Sequence, residues 1–236
     1  LSLENVLDVH APRGELIGLG GKLRAGKDAV ADYLVENKNF VKLGMSDALN
    51  EALLKLNPWI PYTVEAHPDI NRIRYADLHE WEGYVEAKKN PEVRRLLQVL
   101  GTEVGRDMID QNVWVNLAEK RIRQHWAEGK NVVITAMRFP NELEMVQRLS
   151  GTNVWVNRPS EAHSASESTI HAHASENSVT QDDFELTIEN TGTLEDLYNW
   201  TEAILDGLSL SRHAKSHEVA RGEPLHSYAD WPRYDH

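Results

Sequence analysis

The sequence predicts an α/β fold: a mostly parallel sheet covered by helices. Three observations carry this. A short apolar run (Leu16, Ile17, Leu19) meets a glycine-rich turn and then a segment with helical spacing, together reading LIGLGGKLRAGKDAVADYLV over Leu16–Val35. Short apolar runs alternate with longer amphipathic ones along the chain, the pattern of parallel strands joined by crossover helices. The run Asn131–Thr135 (NVVIT) is apolar almost without interruption, as in a strand covered on both faces.

Taken in order, residues 1–14 read as a lead-in, residues 15–208 as the folded domain and residues 209–236 as an extended tail. The first strand–helix unit spans Leu16–Asn37, with Val30, Tyr33 and Leu34 on one helical face. A second strand is expected at Phe40–Met45, and Ser46 or Asp47 would cap a helix over Ala48–Leu56. Pro58, Pro61 and Pro68 break the chain into a loop. Asp69–Lys89 reads as a polar helix, and Pro91–Val104 and Val113–Glu128 as two more, the second ended by Gly129. After the NVVIT strand come a helix at Phe139–Leu149, a strand at Asn153–Asn157 and an irregular stretch at Arg158–Gln181. A strand at Phe184–Glu189, a turn at Asn190–Gly192 and a helix at Thr193–Leu205 complete the domain. The tail carries His213, His217, His226 and His236 without periodicity, and its Trp231 and Tyr234 would dock on the domain or on a partner.

Composition narrows the function classes. A chain of 236 residues with 41% hydrophobic and 26% charged side chains can bury a sizeable core. Its formal net charge of −12 repels nucleic acid polymers and anionic membranes, but leaves room for small phosphorylated ligands that respond to local charge. The absence of cysteine excludes disulfides and thiolate metal sites and fits a reducing cytoplasm. No apolar run approaches a membrane span, and the first residues lack a basic-then-apolar signal pattern.

Chemistry concentrates at the first turn. Gly21, Gly26 and Lys27 satisfy G-x-x-x-x-G-K, the spacing of a phosphate-binding loop. Glycines let the backbone curl so that successive N–H groups face an anion, and the following helix aims its positive end at the same point. Lys27 adds a full charge where the outer phosphates of a nucleotide would lie. Position 28, where Ser or Thr would bind Mg²⁺, holds Asp28. A carboxylate beside a triphosphate repels it unless a divalent cation intervenes. Asp28 therefore either holds Mg²⁺, directly or through water, or caps the helix.

At Lys22–Asp32 the run KLRAGKDAVAD resembles the phosphate loop of bacteriophage deoxynucleoside monophosphate kinases. Three later segments resemble the same family: LLQVLGTEVGRDMIDQNVWVN at Leu96–Asn116, VVITAMRFPNELEMV at Val132–Val146, and HASENSVTQDDFELTIENTGTLEDL at His173–Leu197. The resemblance covers roughly residues 15–206 in the expected order. It implies a P-loop NTPase fold with nucleotide-acceptor and lid subregions. It also implies transfer of the γ-phosphoryl group of ATP to deoxynucleoside 5′-monophosphates, with Mg²⁺, by a homodimer supplying DNA precursors in a phage's host cytoplasm.

Under that resemblance the nucleotide would be cradled by Gly21, Lys22, Leu23, Arg24, Ala25, Gly26, Lys27, Asp28 and Ala29, with Lys27, Arg24, Asp28 and Arg158 as the catalytic groups and Asp28 on the metal. Arg24 either reaches across the α- and β-phosphates or is a solvated loop cation. Arg158 would close over the phosphates from a lid at Arg158–Gln181, in which Ser175 and Glu176 match the family segment; this lid is poor in cations. His171 and His173 form an H-x-H pair that lacks a clear third metal ligand. The acceptor wall would be Leu96–Arg106, with Gln98, Thr102 and Arg106 offered to substrate and Arg106 as a bidentate fork for phosphate. Arg94 and Arg95 are wall residues or a solvated helix face. Asp47 either bonds substrate or caps a helix, Arg74 either binds the acceptor phosphate or lies on the surface, and Trp114 either stacks on a base or packs the core. Arg138 follows the buried strand, at the strand end where open α/β sheets bind ligands. Family relatives often carry an acid just before that arginine, whereas this chain has Ala136, which places more weight on Asp28. Two other readings compete: a small-molecule kinase of the dephospho-coenzyme A or shikimate type, and a non-catalytic nucleotide-binding regulator.

Overall fold

A computed structural model of the chain describes residues 13–63, 71–159 and 178–221. In chain order the elements are β1 (Leu16–Gly20), α1 (Lys27–Asn37), β2 (Phe40–Gly44), α2 (Asp47–Leu56), β3 (Trp59–Pro61), β4 (Arg72–Arg74), α3 (Tyr75–Ala87) and α4 (Pro91–Val99). A π-helix (Leu100–Ile109) follows, then α5 (Val113–Ala127), β5 (Asn131–Thr135), α6 (Pro140–Arg148), β6 (Thr152–Asn157), a single 3₁₀ turn (Gln181–Asp183), β7 (Leu186–Glu189) and α7 (Leu194–Arg221). Five strands form one all-parallel sheet in the order β2-β5-β1-β6-β7, as the alternation of strands and helices predicts.

The centre of the sheet is apolar on both faces because helices cover both. All five residues of β1 are buried, and β5 is buried from Val132 to Thr135. On one face Val30, Ala31 and Leu34 of α1 and Leu197 and Leu205 of α7 pack on Leu19, Val133, Val154 and Ile188. On the other, Ile122 and Trp126 of α5 and Leu143 and Val146 of α6 pack on Leu16, Val132 and Ile134. A third apolar cluster lies apart from the sheet: Leu53, Ile60, Tyr75, Leu78, Val93 and Leu97 join α2, α3, α4 and the β3-β4 ribbon into a helical lobe. Among the described residues no helix is long and apolar enough to cross a membrane.

Several expectations change. The proline-broken loop is an antiparallel ribbon, with Trp59 opposite Arg74 and Pro61 opposite Arg72. Prolines at the ends of a short edge strand leave its pairing intact; Pro68 lies outside the described residues. The polar helix begins at Tyr75, not Asp69, and bends at Gly83 (φ 77°). Ser46 takes the N-cap position of α2 but makes no side-chain capping bond, and Asp47, the first helical residue, accepts through Oδ2 from the Gly44 N–H behind it at 2.7 Å. The helix expected to stop at Val104 ends as α-helix at Val99 and continues as π-helix to Ile109. Its wide turn seats the Trp114 indole, which donates to the Gly101 carbonyl at 2.8 Å. A Cβ on Gly105 would stand 2.7 Å from that ring. Helical propensity cannot signal such a turn, because a distant ring spreads it. The last helix runs on to Arg221, so residues 209–221 are helical where an extended end is expected. The lead-in to residue 12, and Trp231 and Tyr234, lie outside the described residues.

Because Leu34 is fully buried between α1 and the sheet, Leu34→Ala is expected to cost about 2–5 kcal/mol in denaturant unfolding. A loss below about 1 kcal/mol would show that α1 does not anchor that face.

Candidate active site

Parallel strands place all their carboxyl ends on one edge, and the candidate residues gather there from five strands. The Gly21–Gly26 loop leaves central β1, Ala136–Phe139 leaves β5 on one side of it, and Arg158 follows β6 on the other. Asp47 follows β2 and Asn190 follows β7 at the two sheet edges.

The loop after β1 curls as its glycines require. Gly21 has φ 134°, and a Cβ there would lie 2.3 Å from the Val156 carbonyl oxygen of β6, so no other residue fits. Arg24 takes a left-handed φ of 61° without being glycine, and its side chain is exposed with those of Lys22 and Leu23. Gly26 is the N-cap of α1 and offers no side chain, so the first N–H groups of that helix face the loop without a side-chain cap. Ala25 is buried beneath the loop, and Ala29 is half-buried in the first turn of α1. Lys27 folds across the curl and donates from Nζ to the carbonyls of Gly21 (2.7 Å) and Lys22 (2.6 Å). Burial lowers its pKa, the adjacent Asp28 raises it, and Arg138 lowers it again. Arg138 follows β5, the strand paired with β1.

Asp28 is engaged by the neighbouring strand β2. Its carboxylate meets Lys42 Nζ of β2 at 2.9 Å, and the same ammonium meets Asp32 at 3.0 Å. It does not cap α1, because it lies inside the helix, after the N-cap Gly26. Its side chain is 79% exposed. Among the described residues no group of three His, Asp or Glu side chains is placed to hold a metal ion alone. One exposed carboxylate, here paired with Lys42, suits Mg²⁺, which keeps several waters and takes its other ligands from substrate phosphates. Asp28 therefore fits a cation shared with a nucleotide.

The loop after β5 is held from beneath by a buried acid. Ala136 has φ 62°, a strained value for alanine that turns the chain out of the strand. Glu142 of α6, 2% exposed, then accepts the backbone N–H of Arg138 at 2.7 Å and of Phe139 at 3.2 Å through Oε2. Its other oxygen accepts from Arg106 of the π-helix at 3.2 Å, and the Arg106 guanidinium lies 4.0 Å over the Phe139 ring. Burial raises the Glu142 pKa against the lowering by these hydrogen bonds and by the two arginines. Arg106, expected as a fork open to phosphate, is thus committed to Glu142, and its side chain is only 13% exposed.

The remaining candidates scatter. Arg74 donates to the Asn57 carbonyl at 2.9 Å and stacks 4.3 Å over Trp59, so it builds the ribbon. Arg95 forms a double hydrogen bond with Glu92 at 2.8 and 2.7 Å, and Arg94, Gln98 and Thr102 are exposed. Trp114 spends its N–H inside the π-helix, which favours packing over base stacking. Asp47, Asn50, Glu51, Arg121 and His125 line an open cleft between α2 and α5, where Arg121 pairs with Glu51 at 2.6 Å. Arg158 is exposed at the end of β6. His171, His173, Ser175 and Glu176 lie outside the described residues, with most of the expected lid. Three residues escaped the sequence reading as parts of this site: Lys42, Glu142 and Asn190. Only Glu142 carried a signal, since F-P-N-E places a glutamate three residues after an N-cap.

A model of the deoxynucleotide monophosphate kinase family matches residues 47–201, a span that starts after the phosphate loop. The deoxynucleotide monophosphate kinase of Escherichia phage RB69 is 26% identical over 248 aligned positions, covering 81% of this chain and 99% of its own. A putative deoxynucleotide monophosphate kinase of Acanthamoeba polyphaga mimivirus is 26% identical over 211 positions, covering 82% of this chain and 97% of its own. Among solved structures, TT1252 from Thermus thermophilus aligns over 83% of this chain and 98% of its own with 17% identity and a TM-score of 0.45.

The raised pKa of Glu142 means that the folded chain binds its proton more tightly than the unfolded chain does, so the contribution of this group to stability falls as pH rises from the ordinary value of 4.5. The unfolding free energy of wild type minus that of Glu142→Gln is expected to decline between about pH 5 and pH 7.5 in denaturant titrations. A rising difference would show that the arginines outweigh burial.

Proposed function

The chain belongs to the deoxynucleotide monophosphate kinase family, and from that premise we propose that its phosphate loop grips ATP while the neighbouring strand ends present a deoxynucleoside 5′-monophosphate. The observation that carries this reading is the convergence of the Gly21–Gly26 curl, the uncapped start of α1, Lys27 and Arg138 at one sheet edge. The chemistry needs alignment and positive charge more than acid–base help. An oxygen of the acceptor phosphate is already anionic, so it attacks the γ-phosphorus without a general base. The bond from the γ-phosphorus to the β–γ bridging oxygen breaks, that oxygen keeps the electron pair, and ADP and the deoxynucleoside diphosphate result.

In this reading the backbone N–H groups of the loop and the N-terminus of α1 hold the β-phosphate. Lys27 exchanges its two loop carbonyls for phosphate oxygens and follows the charge that builds on the bridging and γ oxygens. Arg138, its backbone fixed by Glu142, and Arg158, at the end of β6, bring cations to the two phosphates from either side of β1. Arg24 reaches the nucleotide from the exposed rim of the loop. Asp28 would hold Mg²⁺, which when bound supplies neutralisation of the phosphate charge. Lys42 pairs with the carboxylate until then. Arg106 acts on substrate through Glu142 and Arg138 rather than as a fork of its own. The same reading carries a homodimer working in the host cytoplasm, and light scattering on the purified chain is expected to return the mass of two copies.

ADP release from ATP and Mg²⁺ is expected to depend on an added deoxynucleoside monophosphate. A panel of the four common ones and modified pyrimidines tests this, and silence from every member in folded protein would sink the reading. Lys27→Ala is expected to lose about a hundredfold or more in rate; near-normal turnover would remove Lys27 from the mechanism.

A further inference from the structure

Asn190 takes no part in the chemistry above, yet it touches the phosphate loop more closely than any other residue of β7 or α7 described here. It stands immediately after β7 and is 8% exposed. Its backbone N–H donates to the Asn157 carbonyl at the end of β6 at 2.7 Å, which fixes its main chain to the sheet. Its side-chain amide reaches across to β1's loop and donates from Nδ2 to the Ala25 carbonyl at 2.8 Å, a buried bond across 165 residues of sequence. The same nitrogen lies 2.7 Å from where a Cβ on Gly26 would stand, so it is seated directly against the second glycine of the motif.

We propose that Asn190 is a positioning residue that sets the direction of the Gly26 N–H, and hence the affinity of the loop for the nucleotide's phosphates. The reason is peptide planarity. The Ala25 carbonyl and the Gly26 N–H belong to one trans peptide and point to opposite sides of it. Asn190 draws the carbonyl toward the core, so the N–H is turned to the outer, concave side of the loop. Gly26 makes this necessary. Its φ of 108° and lack of a side chain leave the peptide on either side of it free to rotate, and no intrahelical bond fixes that carbonyl at the helix start. Asparagine is the side chain that fits. An aspartate of the same shape would set an acceptor against an acceptor, and alanine would leave a buried carbonyl unpaired. Asn190 thus joins the far side of the sheet to phosphate recognition without contact with the nucleotide.

This inference rests on the reading of Gly21–Ala29 as the nucleotide cradle, and the experiment separates the two. ADP and deoxynucleoside monophosphate affinities are measured by calorimetry for wild type, Lys27→Ala, Asn190→Ala and the isosteric Asn190→Asp, with melting temperature recorded for each. Both Asn190 variants are expected to bind ADP about tenfold more weakly while acceptor affinity stays within about twofold. The Gly26 amide resonance should move in both variants before any ligand is added. Unchanged ADP affinity, or an equal loss for both ligands that follows the fall in melting temperature, overturns the proposal. Should Lys27→Ala weaken ADP binding while the Asn190 variants do not, the cradle stands and Asn190 is merely structural. Should Lys27→Ala also bind ADP normally, the cradle reading falls and this inference with it. Asn190→Ser, which keeps a small polar group, replaces Asn190→Ala if that variant does not fold.

Discussion

The site depends on how one short loop disposes of its carbonyls. A curl that turns its N–H groups toward an anion must turn its C=O groups elsewhere, and a buried carbonyl without a partner is costly. This chain answers with three devices. Lys27 spans the carbonyls of Gly21 and Lys22, the Ala25 N–H donates to the Lys22 carbonyl at 3.2 Å, and Asn190 takes the carbonyl of Ala25. The first of these is provisional by nature, since a lysine bound to neutral carbonyls gives them up readily to phosphate oxygens, whose charge makes the stronger bond. The last is permanent, because both ends are buried.

Charge is arranged on the same plan. The chain as a whole carries a formal charge of −12, but the carboxylates nearest the loop are each engaged. Asp28 faces Lys42, and Glu142 faces Arg106 and the backbone of Arg138 and Phe139. Lys42 and Glu142 serve opposite ends of this balance. One neutralises a carboxylate in the first turn of α1, and the other uses a buried negative charge to hold the backbone of the segment that bears Arg138. Burial makes Glu142 expensive to ionise, so its three hydrogen bonds, to Arg106 and to the backbone of Arg138 and Phe139, are what keep it in place.

The π-helix links the two parts of the molecule. Its Gly101 carbonyl and the Gly105 surface hold Trp114 of α5, while Arg106 one residue on reaches Glu142 of α6. The helical lobe of α2, α3 and α4 therefore meets the sheet domain through a segment whose wide turns depend on a seated indole. Wider turns of this kind recur near functional sites because they re-aim side chains that an α-helix would direct elsewhere.

Much of this was legible in one dimension. Gly21, Gly26 and Lys27 at fixed spacing after an apolar run determined the strand–curl–helix unit, because only that order of flexibility and charge makes a phosphate cradle. The NVVIT run determined a doubly covered strand and placed Arg138 at its carboxyl end, since parallel strands share one direction. What the residues alone did not determine was partnership. Arg106 reads as a fork for phosphate, Arg74 as a ligand or a surface cation and Asp47 as a ligand or a helix cap, yet each meets an atom far away in sequence or turned backward along it: Glu142, Trp59 and the Gly44 N–H. Asn190 and Lys42 gave no local sign at all, since their roles exist only where β7 and β2 are folded around the loop of β1. Periodicity and backbone chemistry act over a few residues and so are written in the chain, whereas the competition for hydrogen bonds and charge is settled only when the sheet brings distant segments together.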